Sequence, residues 1–168
     1  PRNFTPGWER NMSDEMIRAL AANGGVIQIN IGSSFIKQEA HEWFNTMAEK
    51  RRAYLEERDL PPHGDAASKW GKEYRIENPF PYATMDDVMA NFEHVIKLVG
   101  IEHVGIGSDF DGVGDSLPVG LKDASYYPAL IAGFLKHGYS EDDIRAIMGG
   151  NLMRVWREVR AFAEEAHN

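Results

Sequence analysis

The chain has 168 residues and a net charge of −8, and its 43% hydrophobic and 26% charged residues are typical of a globular domain. It lacks cysteine, which excludes disulfides and thiolate metal sites among these residues. The acidic excess lies in residues 76–168, with seven basic and fifteen acidic side chains, and it argues against nucleic acid or anionic lipid as partners. No apolar run approaches the roughly 18 residues that span a bilayer. We therefore expect a soluble protein with a small ligand and no membrane span.

The first predicted elements are a loop, a helix and a buried strand. Residues 1–11 hold two prolines and a glycine, which predicts a loop. A helix follows from the N-cap Ser13 to Gly24, and the nearly continuous apolar run 25–31 is typical of a parallel strand covered on both faces. Residues 37–59 are charge-rich and helical, and residues 60–83 predict a long aromatic loop of the kind that can serve as a lid.

The second half of the chain contains one more strand among helices. The pair Thr84 and Asp87 resembles a capping box and predicts a helix, which is followed by a short apolar strand at 103–108. The remaining predicted helices are residues 123–137 despite Pro128, a short helix from Ser140 to Gly149–Gly150, and a last helix capped by Asn151. The alternation indicates an α/β protein. Because only two strands are visible, we expect the tail of a larger α/β sheet or barrel.

The strongest candidate for chemistry is the segment 107–112 (GSDFDG), which follows the second strand directly. The carboxyl ends of strands carry the active sites of parallel α/β folds. Asp109 and Asp111 have no obvious packing role at this place. A catalytic role for these acids therefore stands beside the alternative that they only cap the following turn.

Three known motifs can be tested against the chain. A calcium loop of EF-hand type starting at Asp109 fails, because Val113 and Gly120 occupy two ligand positions. A zincin helix fails, because no second histidine follows at the required spacing after His41 and Glu42. The stretch 109–113 (DFDGV) resembles the nucleophile motif of haloacid-dehalogenase-type phosphatases. That motif normally opens a fold with several later strands, whereas only helices follow here, so it is kept as an alternative.

Five segments resemble the membrane (renal) dipeptidase family, in the family's order and with compatible spacing. They are residues 10–16 (RNMSDEM), 23–30 (NGGVIQIN), 105–113 (GIGSDFDGV), 138–144 (GYSEDDI) and 150–155 (GNLMRV). The resemblance treats residues 1–168 as one domain with a variable helical and loop insertion at 37–83. It corresponds to the C-terminal half of the family's sequence.

The resemblance implies a fold and a cofactor. The family fold is a distorted (β/α)8 TIM-type barrel of the metal-dependent hydrolase kind, and its enzymes are dipeptidases that hold two zinc ions. In the family, the metal ligands (a His-x-Asp pair, a bridging glutamate and two later histidines) lie upstream of the part that this chain resembles. We therefore expect no metal ligand here, an inactive isolated chain, and a need for the missing N-terminal half. The resemblance also suggests a homodimer, and it leaves the cellular compartment open.

The resemblance further implies four site residues. Asp109 corresponds to the catalytic acid that handles a proton near the tetrahedral intermediate and the leaving amine. Arg10 corresponds to the arginine that pairs with the substrate's C-terminal carboxylate, and it keeps the family's spacing better than its rival Arg2. Gly112 is expected to border the bound peptide, and Phe35 to line the side-chain pocket. The prediction is a dipeptidase acting on free dipeptides, with the phosphatase and a non-catalytic barrel fragment as alternatives.

Overall fold

The computed structural model of the protein describes residues 1–166, in which helices surround a small sheet. The helices and strands are α1 (Asp14–Ala22), β1 (Ile27–Asn30), α2 (Ser33–Ile36), α3 (Gln38–Glu57), α4 (Asp65–Glu77), α5 (Met85–Val99), β2 (Val104–Ser108), α6 (Tyr127–Lys136), α7 (Glu141–Arg145) and α8 (Asn151–Ala166). A π-helical segment, Ala146–Gly150, joins α7 to α8.

Strands β1 and β2 form a parallel two-stranded sheet. Ile29 pairs with Ile106, and the register then shifts so that Asn30 pairs with Ser108 rather than with the residue before it. Side chains alternate between the two faces of a strand. The isoleucines belong to the hydrophobic core, so Gln28 and Asn30 share the opposite face of β1. The two predicted strands are thus confirmed, and β1 carries polar side chains on one face.

The core lies between the sheet and the helices that follow each strand. The rings of Phe92 in α5 and Phe134 in α6 pack edge to face, with centroids 5.1 Å apart. Both side chains are fully buried, and burying a side chain of this size contributes roughly 1.5–3 kcal/mol. Other fully buried members are Ile17, Ile31, Val88, Met89, Val95, Val104, Leu121, Leu130 and Ile147.

Local signals located most of the helices correctly. Ser13 is the N-cap of α1, and its hydroxyl accepts a hydrogen bond from the Met16 N–H at 3.4 Å. The capping box at Thr84 and Asp87 is present with both of its reciprocal bonds. Pro128 lies in the first turn of α6, where a missing N–H leaves no helical hydrogen bond unmade.

The predicted loop at 60–83 is wrong in its middle, because α4 occupies most of that range. The four prolines that favoured a loop lie on either side of α4, at 61, 62, 79 and 81. Only Gly71 interrupts the helix, which costs about 1 kcal/mol relative to alanine. Packing offsets that cost, since Tyr74 of α4 contacts Trp43 of α3 with ring centroids 5.5 Å apart. The segment is therefore one arm of a helical pair and not an extended loop. The short helix α2 was also not predicted.

The prediction that Asn151 caps the last helix is wrong. Its side chain lies in the first turn of α8 and donates hydrogen bonds to the carbonyl oxygens of Ile101 and Val104, both at 2.7 Å. The helical path also continues through Gly149, whose φ of 154° marks a kink rather than an end. Asn151 thus holds α8 against the start of β2.

The apolar side chains of α8 lie together on one face, and that face is exposed. Trp156, Val159 and Phe162 are 60%, 62% and 73% exposed. With Leu152 they form the apolar stripe of α8, part of which lines a shallow groove. Across residues 1–166, no helix has both the length and the apolar character that crossing a bilayer would require.

Candidate active site

A cavity of about 260 Å³ opens along the polar face of β1. Its polar lining includes Arg10 from the N-terminal loop and both Gln28 and Asn30 from β1. Phe35 of α2 supplies an apolar wall. With Asn11, the cavity combines a positive charge, three side-chain amides and an aromatic surface, which suits a small ligand with both polar and apolar parts.

Asp109 follows β2 directly and turns back towards β1. Both Ser108 and Asp109 have left-handed backbone angles, with φ of 51° and 65°. Non-glycine residues rarely adopt this conformation, which costs about 1–2 kcal/mol per residue. The Asp109 N–H donates to the carbonyl of Gly107 at 2.7 Å, so the chain reverses sharply at the strand end. The half-buried Asp109 carboxylate is thereby brought to the carboxyl end of the sheet, where the sequence predicts it.

Asn30 is the hydrogen-bond partner of that carboxylate. Its side-chain Nδ2 donates to Oδ2 of Asp109 at 2.7 Å, and its Oδ1 accepts from the N–H of Gly32 at 3.0 Å. Because the amide oxygen is already engaged by a backbone donor, the amide nitrogen faces Asp109. The catalytic prediction singled out Asp109 but not Asn30 as its partner.

The turn after β2 is also held from α6. The hydroxyl groups of Ser108 and Tyr127 share a hydrogen bond, and the ring of Phe110 lies 5.6 Å from that of Tyr127. On the opposite side, the Ile31 N–H donates to the Ser108 carbonyl at 3.3 Å. The strained residues are therefore fixed by contacts with two separate elements.

Arg10 lies over an aromatic stack. Its guanidinium carbon is 4.8 Å from the ring centroid of Phe35 and 5.9 Å from that of Trp8. Trp8 stacks on Phe35 at 4.5 Å and on His41 at 4.3 Å. Over the described part of the chain, Arg10 forms no ion pair with a carboxylate. Its donors are thus available to an anionic ligand while the rings stabilise the cation.

The rival Arg2 is used differently. Its guanidinium donates to the backbone carbonyls of Asn11 at 3.0 Å and of Glu9 at 3.2 Å. Asn11 is buried and donates from its side chain to the Phe35 carbonyl at 2.8 Å. Arg2 and Asn11 therefore shape the loop that presents Arg10, which supports the preference for Arg10 as the binding residue.

The remaining two motif residues, Asp111 and Gly112, come after Asp109 in the turn. Asp111 is exposed, and its Oδ1 accepts a hydrogen bond from the N–H of Gly112 at 2.9 Å. That is the turn-capping role considered as the alternative for both acids, and it applies to Asp111 but not to Asp109. Gly112 has φ of 73°, which glycine adopts without strain, and it is not part of the cavity lining. The structure therefore brings Arg10, Phe35 and Asn30, the partner of Asp109, into one cavity, whereas Asp109 itself and Gly112 are not part of its lining.

Gln28 is a second polar residue that the sequence analysis missed. Its amide lies against Gly105, where a Cβ would be only 2.6 Å from Oε1, and its Nε2 is buried with no hydrogen-bond partner among residues 1–166. A signal for this face exists, since Gln28 and Asn30 alternate with isoleucines in an otherwise apolar strand.

The loop that follows the site is tied down by a charged cluster. The Tyr82 hydroxyl donates to Asp115 at 2.5 Å, and the Lys122 ammonium donates to the same carboxylate at 3.0 Å. These hydrogen bonds, led by the one from Tyr82, lower the pKa of Asp115, and the same bond raises the pKa of Tyr82. The ammonium also lies 3.9 Å from the centroid of the Tyr82 ring. The loop after β2 is therefore held against the segment that precedes α5.

The donors around the cavity do not fit a zinc pair. Among residues 1–166, no group of three or more histidine and carboxylate side chains could hold a metal ion. Zinc in proteins takes thiolate, imidazole and carboxylate ligands. The cavity instead offers three amides and a guanidinium, and one oxygen of Asp109 is already bonded to Asn30.

These residues lie at the carboxyl end of a parallel sheet, where α/β folds place their active sites. Asp109 follows β2, and its hydrogen-bond partner Asn30 shares one cavity with Arg10. The sequence profile of the membrane dipeptidase family, peptidase family M19, matches residues 7–168, and the chain belongs to this family. The family resemblance is thus confirmed, and with it the hydrolase, dipeptidase and metallopeptidase character of the relatives.

Individual relatives agree with this assignment. An uncharacterized dipeptidase (C965.12) from Schizosaccharomyces pombe is 32% identical over 156 residues, which are 92% of this chain and 28% of that protein. The crystal structure of the probable dipeptidase PvdM from Pseudomonas aeruginosa is 28% identical with a TM-score of 0.72, covering 96% of this chain and 43% of that one.

A third relative shares the fold at lower identity. It is a metallo peptidase from Rhodobacter sphaeroides, crystallised with a phosphinate mimic of the dipeptide L-Ala-D-Ala. It is 24% identical with a TM-score of 0.59, covering 90% of this chain and 32% of that one. The chain thus spans between 28% and 43% of the length of these three relatives.

Proposed function

We propose that the chain is the part of a dipeptidase that carries the proton-handling carboxylate and the carboxylate anchor. The observation that supports this most directly is the arrangement around one cavity. Asn30 holds the Asp109 carboxylate, and Arg10 lies over Phe35 without an ion-pair partner in the described residues. A dipeptide has an amide bond next to a free carboxylate. Its hydrolysis therefore needs a proton carrier for the amide bond and a cation for the carboxylate at the same time.

Arg10 is the proposed anchor for the C-terminal carboxylate of the substrate. A guanidinium presents two parallel N–H donors to a carboxylate and keeps its charge at any physiological pH. The rings of Phe35 and Trp8 fix its plane, which lowers the entropy lost on binding. In the same proposal, Phe35 lines the side-chain pocket and Gly112 borders the peptide backbone.

Asp109 is the proposed proton carrier. Its Oδ2 accepts the hydrogen bond from Asn30, which leaves Oδ1 for the reacting groups. A carboxylate in this position can take a proton from the attacking water and return it to the amide nitrogen, a role worth roughly 10²- to 10⁴-fold in rate. The C–N bond then breaks with the nitrogen departing as a neutral amine.

The proposal also includes the rest of a barrel. We infer a (β/α)8 barrel with residues 37–83 as an insertion, in which further strands extend the two-stranded sheet and the apolar stripe of α8 is covered. The zinc ions of the family would be held by residues of that other part, because the donors here do not fit them. The dimer expected from the resemblance stays a prediction.

The decisive experiment compares the two acids of the motif in the complete gene product that carries this chain. Asp109→Asn should lower kcat for dipeptide hydrolysis by roughly 100-fold or more while KM changes little. Asp111→Asn is the matched control, since its carboxylate only caps an exposed turn, and it should stay within a few-fold of the wild type. Turnover like that of the wild type in the Asp109 variant would refute the catalytic role.

The same preparations separate the alternatives. A phosphatase would release phosphate from p-nitrophenyl phosphate with magnesium and would lose this activity in both variants. A non-catalytic module would hydrolyse neither substrate and would bind no zinc by elemental analysis.

A further inference from the structure

We propose that Asn30 is the positioning residue of Asp109, and that its amide decides which carboxylate oxygen faces the substrate. This inference rests on the proposed function of Asp109 as the proton carrier. It assigns to β1 a role in catalysis that acts through another residue and not through contact with the reacting atoms.

The first support is the fixed orientation of the amide. Oδ1 of Asn30 accepts the Gly32 N–H at 3.0 Å, two residues along the chain, as in an Asx turn. This bond determines that Nδ2, and not Oδ1, points at Asp109. The contact is therefore donor to carboxylate, which is a stronger type of hydrogen bond than one between neutral groups.

The second support is the register shift in the sheet. Ile29 pairs with Ile106, so an unbroken register would pair Asn30 with Gly107. The shift pairs it with Ser108 instead, and this advances Asn30 by one residue towards the carboxyl end of β2. Irregularities of this kind re-aim side chains next to active sites. Here the irregularity brings the amide within 2.7 Å of a carboxylate that is 79 residues away in sequence.

The third support is the strain at the turn. Two successive non-glycine residues, Ser108 and Asp109, are left-handed, and such conformations persist only where the surroundings determine them. Without the bond to Asn30, the half-buried carboxylate could turn between staggered rotamers and meet water. The bond limits it to one rotamer and leaves Oδ1 as the oxygen that can take a proton.

Two substitutions of Asn30 test the role by kinetics in the complete gene product. Asn30→Ala should lower kcat roughly tenfold at every pH, with KM within twofold. Asn30→Asp places two carboxylates at hydrogen-bond distance, so at pH 8 it should lower kcat more than Asn30→Ala does. The ratio of its kcat to that of the wild type should rise as the pH falls, because a proton shared by the pair restores a hydrogen bond. A merely structural role would not produce this pH-dependent recovery. Asn23→Asp is the control, because it makes the same chemical change at an exposed position just after α1. The ratio of its kcat to that of the wild type should not change with pH.

A second readout needs no activity. In the complete gene product labelled with ¹⁵N, the side-chain amide signal of Asn30 should shift on Asp109→Asn and stay unchanged on Asp111→Asn. The positioning role is overturned if both Asn30 variants keep kcat within twofold of the wild type, or if the Asn30 amide signal does not shift on Asp109→Asn. If Asp109→Asn itself keeps full turnover while the amide signal shifts, the contact exists and the proposed function is what fails.

Discussion

The carboxylate anchor is the part of the site whose loss has the most specific consequence. If Arg10 is the anchor, Arg10→Ala removes two charge-assisted hydrogen bonds to the substrate, each worth roughly 1.5–3 kcal/mol when fully formed. Because Arg10 is exposed, water screens its charge, so we expect about 2–3 kcal/mol in total. That corresponds to a KM for dipeptides raised roughly 30- to 150-fold. Arg10→Lys keeps the positive charge but lacks the two parallel N–H donors, so its KM should lie between those of the wild type and Arg10→Ala.

The assay compares a dipeptide with the corresponding dipeptide amide, which lacks the negative charge. If Arg10 binds the carboxylate, Arg10→Ala should change kcat/KM for the amide less than threefold. Arg2→Ala is the matched control from the same loop. Because Arg2 donates only to backbone carbonyls, its loss should affect both substrates equally through the shape of the loop. An Arg10→Ala effect of the same size on both substrates would refute the anchor.

Two further predictions concern stability and are checked by urea unfolding. Asn151→Leu leaves the carbonyls of Ile101 and Val104, just before and at the start of β2, without their side-chain donor and should destabilise the chain by about 1–3 kcal/mol; an unchanged free energy of unfolding would show that α8 is not held there. Gly107→Ala should cost about 1–3 kcal/mol, because its Cβ would lie 3.0 Å from a backbone oxygen of β1. In Gly105→Ala, the three atoms nearest the new Cβ all belong to the flexible end of the Gln28 side chain. Adding Gln28→Ala should therefore restore the stability of the Gly105→Ala variant and should not restore that of Gly107→Ala.

The parts of the fold that were predictable are those with local causes. A cap such as Ser13 acts within one turn of its helix, so a few neighbouring residues reveal it. The helix α4 was missed because prolines on both sides outweighed a helical interior, although prolines that flank a segment leave the residues between them free to form a helix. What stabilises α4 is its packing against Trp43, and no local pattern shows that contact.

The site divides in the same way. Asp109 was predictable because it follows an apolar strand, where parallel folds place their active sites. Its hydrogen bond to Asn30 was not predictable, because it depends on strand pairing across 79 residues and on a one-residue shift in register. The role of Arg2 in supporting its loop was likewise hidden, since it depends on carbonyl groups that any sequence would have.

The end of β1 links the two charged groups of the proposed site. On one side, Asn30 fixes Asp109. On the other, Asn11 donates to the carbonyl of Phe35, whose ring supports the guanidinium of Arg10. If Asp109 is the proton carrier and Arg10 the anchor, residues 30–35 set the distance between them, even though neither charge lies within this segment. A dipeptide has a fixed separation between its amide bond and its carboxylate, so we expect this short, largely buried segment to determine the length of substrate that fits.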